Sequence, residues 1–569
     1  MKKIFTLLLC CASLSVSAQY QIPNSDFELW DTETYNTTTG DAPVAWNSFL
    51  QGSGGLQNAA AANQLSKSND IRPGSKGTYS AKIIDRYINY IVVKSYAQGN
   101  LTTGCINMGS ATANNPGNSA SANNSGRGKE TLFSNHTGNY NWTNINDTTH
   151  NAQFTGFPDA MHVWIKYYSP TASYRAKATT VLHTNGYYQD PLPKTDDCEG
   201  DLVGTAANTN IAPDANNWQE LTIPFSYPNG TTTRPSFALV TFSTNATPGT
   251  GTGSDYMLID DLEYIYYSSL SDLQFNGTTI SGFAKDKYDY TIEGAYTKGC
   301  ITFTKDCVGG DVYERFEPSS NSYIITVTGD DYDYYSNPSN THTYTVKFTE
   351  VIINDGDNID QVGHISQGTV VLNRTFKAGW NTVCLPFPVT AARLDPNSTV
   401  TTYTLSTPSG DAITFSKTTS NIAKNTPFLA NFPSEVNSIT FTSRTINEDK
   451  TPLVKTCGDW TFTGSYEPSI NMEGKWGVVN DGSKVRKGGA SSTLKSTRAY
   501  LEYNGTANVN EMRIIIDGEE TTITEIDGMP VGNFDVYNLQ GVRVRQNVNS
   551  LDGLNKGIYI VNGKKHIVK

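Results

Sequence analysis

The feature of this sequence that most constrains its fold is the spacing of the apolar residues. They alternate with polar residues over short runs, and no long stretch has the three-and-four spacing of an amphipathic helix. The 48 glycines and 32 tyrosines, with abundant Thr, Asn and Ser, favour strands and turns over helices. At roughly 150 residues per domain, a chain of 569 residues has room for about four domains. We therefore predict an all-β fold, a multidomain chain of β-sandwiches.

The N-terminal residues and the net charge indicate where the chain works. Lys2 and Lys3 precede an apolar run from residue 4 to residue 11, and Ala18 ends a small-residue cleavage site, so residues 1–18 are predicted to be a signal peptide. The apolar run is too short to span a bilayer as an anchor, and no later stretch predicts a transmembrane segment. A net charge of −12 argues against a nucleic-acid partner, which needs a basic face. We expect a secreted or cell-surface protein.

The cysteines leave the redox state open. Six cysteines remain outside the signal peptide. In an oxidising compartment, an even number of cysteines allows all of them to pair as disulfides. Cys300 and Cys307 are closest in sequence and form the most attractive pair, but buried free thiols are an equally acceptable interpretation. These six residues are Cys105, Cys198, Cys300, Cys307, Cys384 and Cys457.

Residues 19–268 are predicted to form one large β domain of jelly-roll type. A polar segment rich in Asn, Ser, Ala and Gly, from about residue 109 to 128, cannot contribute to a core and is predicted to be a surface loop. The predicted strands cover residues 80–84, 90–96, 160–168, 175–183, 218–225, 237–243 and 255–267.

Carboxylates are concentrated at the two ends of this domain. Glu28 lies in its first strand, and Asp260 and Asp261 lie in its last. If these strands are neighbours, the three oxygen-bearing side chains suit Ca²⁺, a hard cation. We predict a structural calcium site there in preference to a catalytic acid/base pair. Solvated strand carboxylates without a ligand are the simplest interpretation and rank above both.

The strand at residues 160–168 carries the best candidate for sugar binding. Alternate side chains share a face, so Trp164, Lys166 and Tyr168 lie together, opposite an apolar face that suits a core. Aromatic rings can stack on a sugar, and polar groups can bond its hydroxyls. We predict a ligand-binding surface from these three residues, helped by Arg175, Tyr187 or Tyr188 from nearby segments. For Trp164 itself, a core position is the interpretation that the sequence favours, because aromatic residues dominate cores as well as binding sites.

Several short motifs in the same region resemble a known family. The matches occur in the expected order and cover most of residues 20–268, which resemble the putative carbohydrate metabolism domain of secreted proteins from glycan-degrading Gram-negative bacteria. The resemblance implies a fold like that of jelly-roll carbohydrate-binding modules. It implies a role with glycans and brings no catalytic residues to carry over. The motifs are NSDFELW at residues 24–30, Pro43 with Trp46, LTTG at 101–104, GFP at 156–158, WIKY at 164–167 and IDDL at 259–262.

Two further β units are predicted after this domain. Residues 269–350 resemble a small immunoglobulin-like sandwich, with a hairpin at Asn276-Gly277. Residues 351–524 resemble β-rich surface-protein segments of the same bacteria, through GWNTVCLPF at 379–387 and RAYL at 498–501. The acidic stretch at 354–360 lacks the spaced glutamate of a calcium loop and is predicted to be a solvated linker.

The last residues, 525–569, resemble the C-terminal sorting domain recognised by the type IX secretion system. The resemblance rests on FDVYNLQGVRV at 534–544, KGIYIVNGKK at 556–565 and the basic end of the chain. It implies the secretion machinery as a partner. The alternative is that this segment is the last strand pair of the preceding sandwich.

No catalytic motif stands out. None of the seven histidines lies in a metalloprotease motif, and there is no nucleophile elbow, phosphate-binding loop or dinucleotide fingerprint. Our first hypothesis is a non-catalytic, exported protein whose N-terminal jelly roll binds a glycan or assists its processing. The alternatives are a glycan-degrading hydrolase that uses paired carboxylates and an adhesin or structural spacer.

Overall fold

The computed structural model describes residues 20–53, 62–90, 93–108, 139–184, 187–190, 201–333, 335–395, 399–407, 412–478, 485–505, 513–522, 525–526, 529–530 and 533–568. The predicted signal peptide, the polar loop at 109–128 and Cys198 lie outside these residues. Strands dominate, and the helical segments are short: one α-helical turn at Ala391–Leu394 and 3₁₀ turns at Phe49–Gln51, Pro318–Ser320 and Ile359–Gln361. Within these ranges no helix is long and apolar enough to cross a bilayer. The all-β prediction is confirmed.

The N-terminal unit is a jelly-roll-like sandwich of two five-stranded antiparallel sheets. The first sheet has the order β15-β11-β17-β5-β4 and the second β14-β12-β16-β8-β3. Its strands are β1 (Trp30–Tyr35), β2 (Thr38–Pro43), β3 (Asn47–Ser48), β4 (Leu65–Ser68), β5 (Ser80–Ile84), β6 (Arg86–Tyr90), β7 (Val93–Ala97), β8 (Asn100–Thr102), β9 (Cys105–Met108), β10 (Asn139–Asn144), β11 (Ala160–Tyr168), β12 (Ala176–His183), β13 (Tyr187–Asp190), β14 (Leu202–Ile211), β15 (Gln219–Pro224), β16 (Phe237–Ser243) and β17 (Tyr256–Ile265).

The core of the sandwich follows from the alternation along its strands. In β11 the inward residues Met161, Val163, Ile165 and Tyr167 are fully buried, and the residues between them are partly exposed. They pack against the inner faces of β12 and β16 and around Trp46, which is also fully buried. The bounds predicted for β5, β11 and β16 match the structure, and the last strand is shorter than predicted, ending at Ile265.

The immunoglobulin-like unit has a three-stranded sheet, β19-β18-β21, and a larger sheet that includes β22, β23 and β24. Its hairpin prediction is confirmed, because Asn276 and Gly277 have φ of 50° and 77° between paired strands, the left-handed geometry of a tight hairpin turn. Cys300 and Cys307 are buried and free, as are Cys384 and Cys457, while Cys105 is free and partly exposed. The strands are β18 (Leu270–Phe275), β19 (Thr278–Thr279), β20 (Asp289–Ala295), β21 (Ile301–Lys305), β22 (Val312–Glu317), β23 (Ser322–Thr328) and β24 (Thr341–Asn354).

The junction with the following unit differs from the predicted linker. Strand β24 runs through the boundary expected at residue 350 and pairs with β25 (Ile365–Asn373) of the next unit from Glu350 onwards. Asp355 then forms ion pairs with Arg498 at 2.5 Å and Lys495 at 3.1 Å. The stretch at 354–360 is therefore packed against the third unit, because its carboxylate meets two cations that are distant in sequence.

The third unit contains a six-stranded sheet, β26-β29-β27-β28-β38-β39, and a five-stranded sheet, β31-β32-β37-β34-β35. A short four-stranded sheet, β43-β42-β44-β45, follows, with a small core of Phe534, Val536 and Val561. The strands are β25 (Ile365–Asn373), β26 (Gly379–Val383), β27 (Thr401–Leu405), β28 (Ile413–Thr418), β29 (Phe428–Phe432), β30 (Ile439–Ile446), β31 (Val454–Cys457), β32 (Trp460–Ser465), β33 (Ile470–Asn471), β34 (Trp476–Val478), β35 (Val485–Lys487), β36 (Thr493–Leu494), β37 (Arg498–Tyr503), β38 (Arg513–Ile516), β39 (Glu519–Thr522), β40 (Glu525–Ile526), β41 (Met529–Pro530), β42 (Phe534–Asn538), β43 (Arg543–Val548), β44 (Gly557–Val561) and β45 (Lys564–Val568).

Candidate functional site

The outer face of the first sheet carries the predicted aromatic surface. Trp164, Lys166 and Tyr168 are partly exposed on β11, on the side opposite the core. Trp164 is therefore not a core residue. Trp218, directly before β15, and Tyr256, on β17, are also partly exposed. We call this surface the open face: His162, Trp164, Lys166, Tyr168, Trp218, Glu220 and Tyr256.

The aromatic rings of the open face are held by their neighbours. Tyr168 stacks on Tyr256, with ring centroids 5.1 Å apart and planes at 26°. Lys82 lies on β5, which pairs with β17 on its other side. Its Nζ is 4.4 Å from the Tyr256 ring centroid. These contacts fix the ring planes, since cation–π and stacked pairs have a preferred geometry.

Two polar pairs fix the remaining side chains of the open face. Asp70, in the loop after β4, accepts hydrogen bonds from Lys166 Nζ at 2.8 Å and from Trp218 Nε1 at 3.1 Å. His162 Nε2 lies 3.0 Å from Glu220 Oε1 across the β11–β15 pair. The face thus combines aromatic rings with oriented donors and acceptors, the arrangement that binds a sugar ring and its hydroxyls.

The loop after β4 also places Arg72 over the aromatic surface. The Arg72 guanidinium carbon is 5.5 Å from the Trp164 ring centroid, and its Nε donates to Asp261 Oδ2 at 2.5 Å. The Arg72 backbone N–H donates to Asp260 Oδ2 at 2.9 Å. Asp70 and Arg72 were not predicted from the sequence, since no pattern in a polar turn indicates that the turn folds across a strand nearly 190 residues away in sequence.

The three predicted calcium ligands lie around this same loop. Glu28 Oε1 accepts the backbone N–H groups of Thr78 and Tyr79, both at 2.9 Å, so it holds the far end of the loop. Asp260 Oδ1 is buried without a hydrogen-bond partner, and burial raises the pKa of Asp260 to about 6.

This arrangement fits a bound ion only in part. Asp260 Oδ1 is a spare oxygen, but the cation beside Asp261 is Arg72. In the part of the chain that the structure describes, no group of three or more His, Cys, Asp or Glu is arranged to hold a metal. The calcium site therefore stays a prediction.

Two of the predicted ligand-binding residues lie away from Trp164. Arg175 precedes β12 of the second sheet, where its Nε donates to Asn210 Oδ1 at 3.0 Å and its Nη1 to the carbonyls of Ala172 and Tyr174. Tyr187 begins β13, in a separate three-stranded sheet with the order β13-β10-β9. The structure brings together Trp164, Lys166 and Tyr168 but not these two, because the chain crosses to other sheets after β11.

The outer face of the second sheet is closed by that three-stranded sheet. His183 is fully buried, stacked on Tyr188 at 4.6 Å and on Phe237 at 5.6 Å between ring centroids, with Nε2 2.9 Å from Thr143 Oγ1. Asn141 Nδ2 donates to Thr241 Oγ1 at 2.9 Å. We call this surface the covered face: Lys177, Thr179, Val181, His183, Phe237, Leu239 and Thr241.

Comparisons with known proteins do not assign this chain to a family. No protein-family model matches the chain, and no curated protein matches it. Among solved structures, a putative glycoside hydrolase from Bacteroides thetaiotaomicron is 14% identical, with 44% of this chain and 72% of that chain covered and a TM-score of 0.28. The tandem CBM22-1–CBM22-2 domain of Paenibacillus barcinonensis Xyn10C is 9% identical, with 75% of this chain and 86% of that chain covered and a TM-score of 0.17. At these TM-scores neither likeness carries an argument about this chain.

Proposed function

We propose that this protein is an exported, non-catalytic glycan-binding protein and that the open face binds the glycan. The observation that supports this most is the set of partly exposed rings on one sheet face, Trp164, Trp218, Tyr168 and Tyr256, held among fixed charged groups. Such a face needs little reorganisation to bind, because its side chains are already ordered by one another. Ordering them in advance lowers the entropic cost of association.

A polysaccharide is the ligand class that best suits a flat face. Sheet faces present rings side by side along strands and so match the repeating units of an extended chain. Asp70 and Glu220 accept hydrogen bonds, and Lys166 donates them, at the edges of the rings. Sugar hydroxyls can complete both kinds of bond.

The test is retention of the full chain in affinity gels that contain soluble polysaccharides. Trp164→Ala should reduce affinity at least tenfold, since aromatic anchors in a binding face often contribute about 2 kcal/mol or more. Trp142→Ala is the matched control, because Trp142 is also partly exposed on a strand but belongs to the sheet over the covered face. Equal retention of both variants and the parent would contradict the proposal, and new reducing ends after incubation would indicate a hydrolase instead.

Export by the type IX machinery is the second part of the proposal. The last hairpin, β44–β45, exposes Lys564 and Lys565 beside an Asn562-Gly563 turn with φ of 45° and 79°. A basic hairpin on an acidic chain is a distinct element that a receptor can bind. Deletion of residues 525–569 in the native host should leave the protein in the periplasm, and normal export of the shortened chain would refute this.

A further inference from the structure

A cavity of about 570 Å³ lies at the junction of the immunoglobulin-like unit and the third unit. Lys347 is the last residue of β24 that pairs with β23, and Glu350 is the first that pairs with β25. The pairing of β25 with β30 is interrupted by two register shifts near Gly368. The strands therefore separate at this point, and the gap opens between them.

The walls of the cavity present hydrogen-bonding groups above an aliphatic floor. Ile365 and Ile446, which are buried and paired across β25 and β30, form the floor. Ser366 and Asn447 line the walls. Asn447 Oδ1 accepts a hydrogen bond from Lys424 Nζ at 3.1 Å, which fixes the amide and leaves its NH₂ group to donate.

Two opposite charges line the cavity without meeting. Lys347 belongs to β24 and Glu448 to the segment after β30, and within the described ranges neither side chain forms an ion pair or hydrogen bond. Their solvated charged ends can each bond a ligand hydroxyl, as donor and as acceptor. A ligand hydroxyl can satisfy either group because it both donates and accepts.

The remaining charges around the cavity nearly cancel. Burial, with the neighbouring Lys450 ammonium adding to it, lowers the pKa of His364, so this imidazole is neutral at pH 7. Asp449 is neutralised by Lys424 at 2.8 Å. An anion or a cation would therefore gain no net attraction here.

We propose that this cavity, which we call the junction site, binds a neutral mono- or oligosaccharide, independently of the open face. Its volume lies within the roughly 300–1,000 Å³ typical of small-ligand sites. The aliphatic floor suits the C–H face of a sugar ring, and the Ser, Asn, Lys and Glu groups suit its hydroxyls. A zwitterion such as a dipeptide is the competing ligand, because Lys347 and Glu448 could pair with its two ends.

The experiment uses the full chain with Trp164→Ala, so that the open face does not contribute. Saturation-transfer NMR and calorimetry would measure binding of maltotriose, cellotriose, xylotriose, mannotriose, lactose and N,N′-diacetylchitobiose, with glycylglycine as the zwitterionic probe. We expect at least one of the saccharides to bind with millimolar or better affinity. Glu448→Gln should weaken it at least tenfold, and Glu293→Gln, an exposed glutamate on β20, should leave it unchanged.

A second variant distinguishes loss of the junction site from loss of the fold. Ser366→Tyr places a ring in the cavity from an exposed position, so it should abolish saccharide binding while the melting temperature stays the same. Absence of binding by all of the saccharides, binding of glycylglycine alone, or binding that survives Ser366→Tyr would overturn the proposal. None of these outcomes bears on the open face, which is tested separately by comparing the parent with Trp164→Ala and Trp142→Ala.

Discussion

The two outer faces of the N-terminal sandwich both carry stacked aromatic rings but differ in exposure to solvent. On the covered face, His183 stacks on Tyr188 of the covering three-stranded sheet, and both rings are buried. On the open face, Tyr168 and Tyr256 also stack but stay partly exposed, and the loop carrying Asp70 and Arg72 contacts the neighbouring Lys166 and Trp164. The difference indicates that aromatic residues on the covered face contribute mainly to stability, whereas those on the open face are available to a ligand.

The largest effect should come from the covered face. His183→Ala removes a buried ring between Tyr188 and Phe237 and leaves a cavity, which should cost about 3 kcal/mol of unfolding free energy. Trp164→Ala on the open face should cost about 1 kcal/mol or less because its site stays solvated. Urea unfolding of the two variants measures the contrast. Similar losses for both would show that the open face is in fact structural.

Calcium tests whether the loop over the open face is held by an ion. A ligand that binds only the folded state at 100 times its Kd stabilises it by about 2.7 kcal/mol. We expect added calcium to raise the melting temperature and chelator to lower it, and Asp260→Asn to abolish both shifts, since Asp260 Oδ1 is the spare oxygen. If neither calcium nor chelator changes the melting temperature, the loop over the open face is held by Arg72 and not by an ion.

The end of the N-terminal sandwich next to the immunoglobulin-like unit should respond to pH. Asp159, directly before β11, accepts the N–H groups of Tyr267 and Val308, both at 2.6 Å, and burial raises its pKa to about 6 from 3.8. Between these values the folded state keeps a proton that the unfolded chain has lost. This group therefore makes the unfolding free energy fall as pH rises from about 4 to 6.

Asp159→Asn checks this assignment. The variant should be less stable at pH 4 by about 1–3 kcal/mol, because an amide nitrogen cannot accept one of the two N–H groups. The gap to the parent should narrow as pH rises from about 4 to 6, since over this interval the parent loses stability as it comes to bury a charge and the variant does not. A gap that widens with pH in urea titrations would contradict the raised pKa. Polysaccharide retention should be unaffected, because Tyr267 and Val308, the partners of Asp159, are not part of the open face.

The smallest effect on stability is expected at the ion pair on the open face. Lys166→Gln breaks the contact with Asp70, and a partly exposed pair of this kind contributes about 0.5 kcal/mol. Binding should weaken more than stability does, because Asp70 also holds Trp218. Lys377→Gln, which breaks the exposed pair with Glu435 in the third unit, is the control and should leave binding unchanged.

Local chemistry carried enough information to predict several elements. Alternation predicted β11 with its buried and partly exposed sides, and the Asn276-Gly277 pair predicted the hairpin between β18 and β19. Both follow from the two-residue period of a strand and from the left-handed conformation that a tight turn requires. The open-face residues Trp164, Lys166 and Tyr168 could be grouped on the same grounds, since they share one strand.

Contacts between distant segments were decided only by the tertiary structure. Strand alternation shows which side of β12 points outward, but it does not show that a sheet formed by β13, β10 and β9 covers that side. For this reason Arg175 and Tyr187 were wrongly expected near Trp164. The positions of Asp70 and Arg72 depend on a loop folding back over β11 and β17, and the junction site depends on where β23 and β25 separate along β24. A strand's own sequence specifies its two sides because that pattern is local, whereas what covers each side depends on packing of the whole chain.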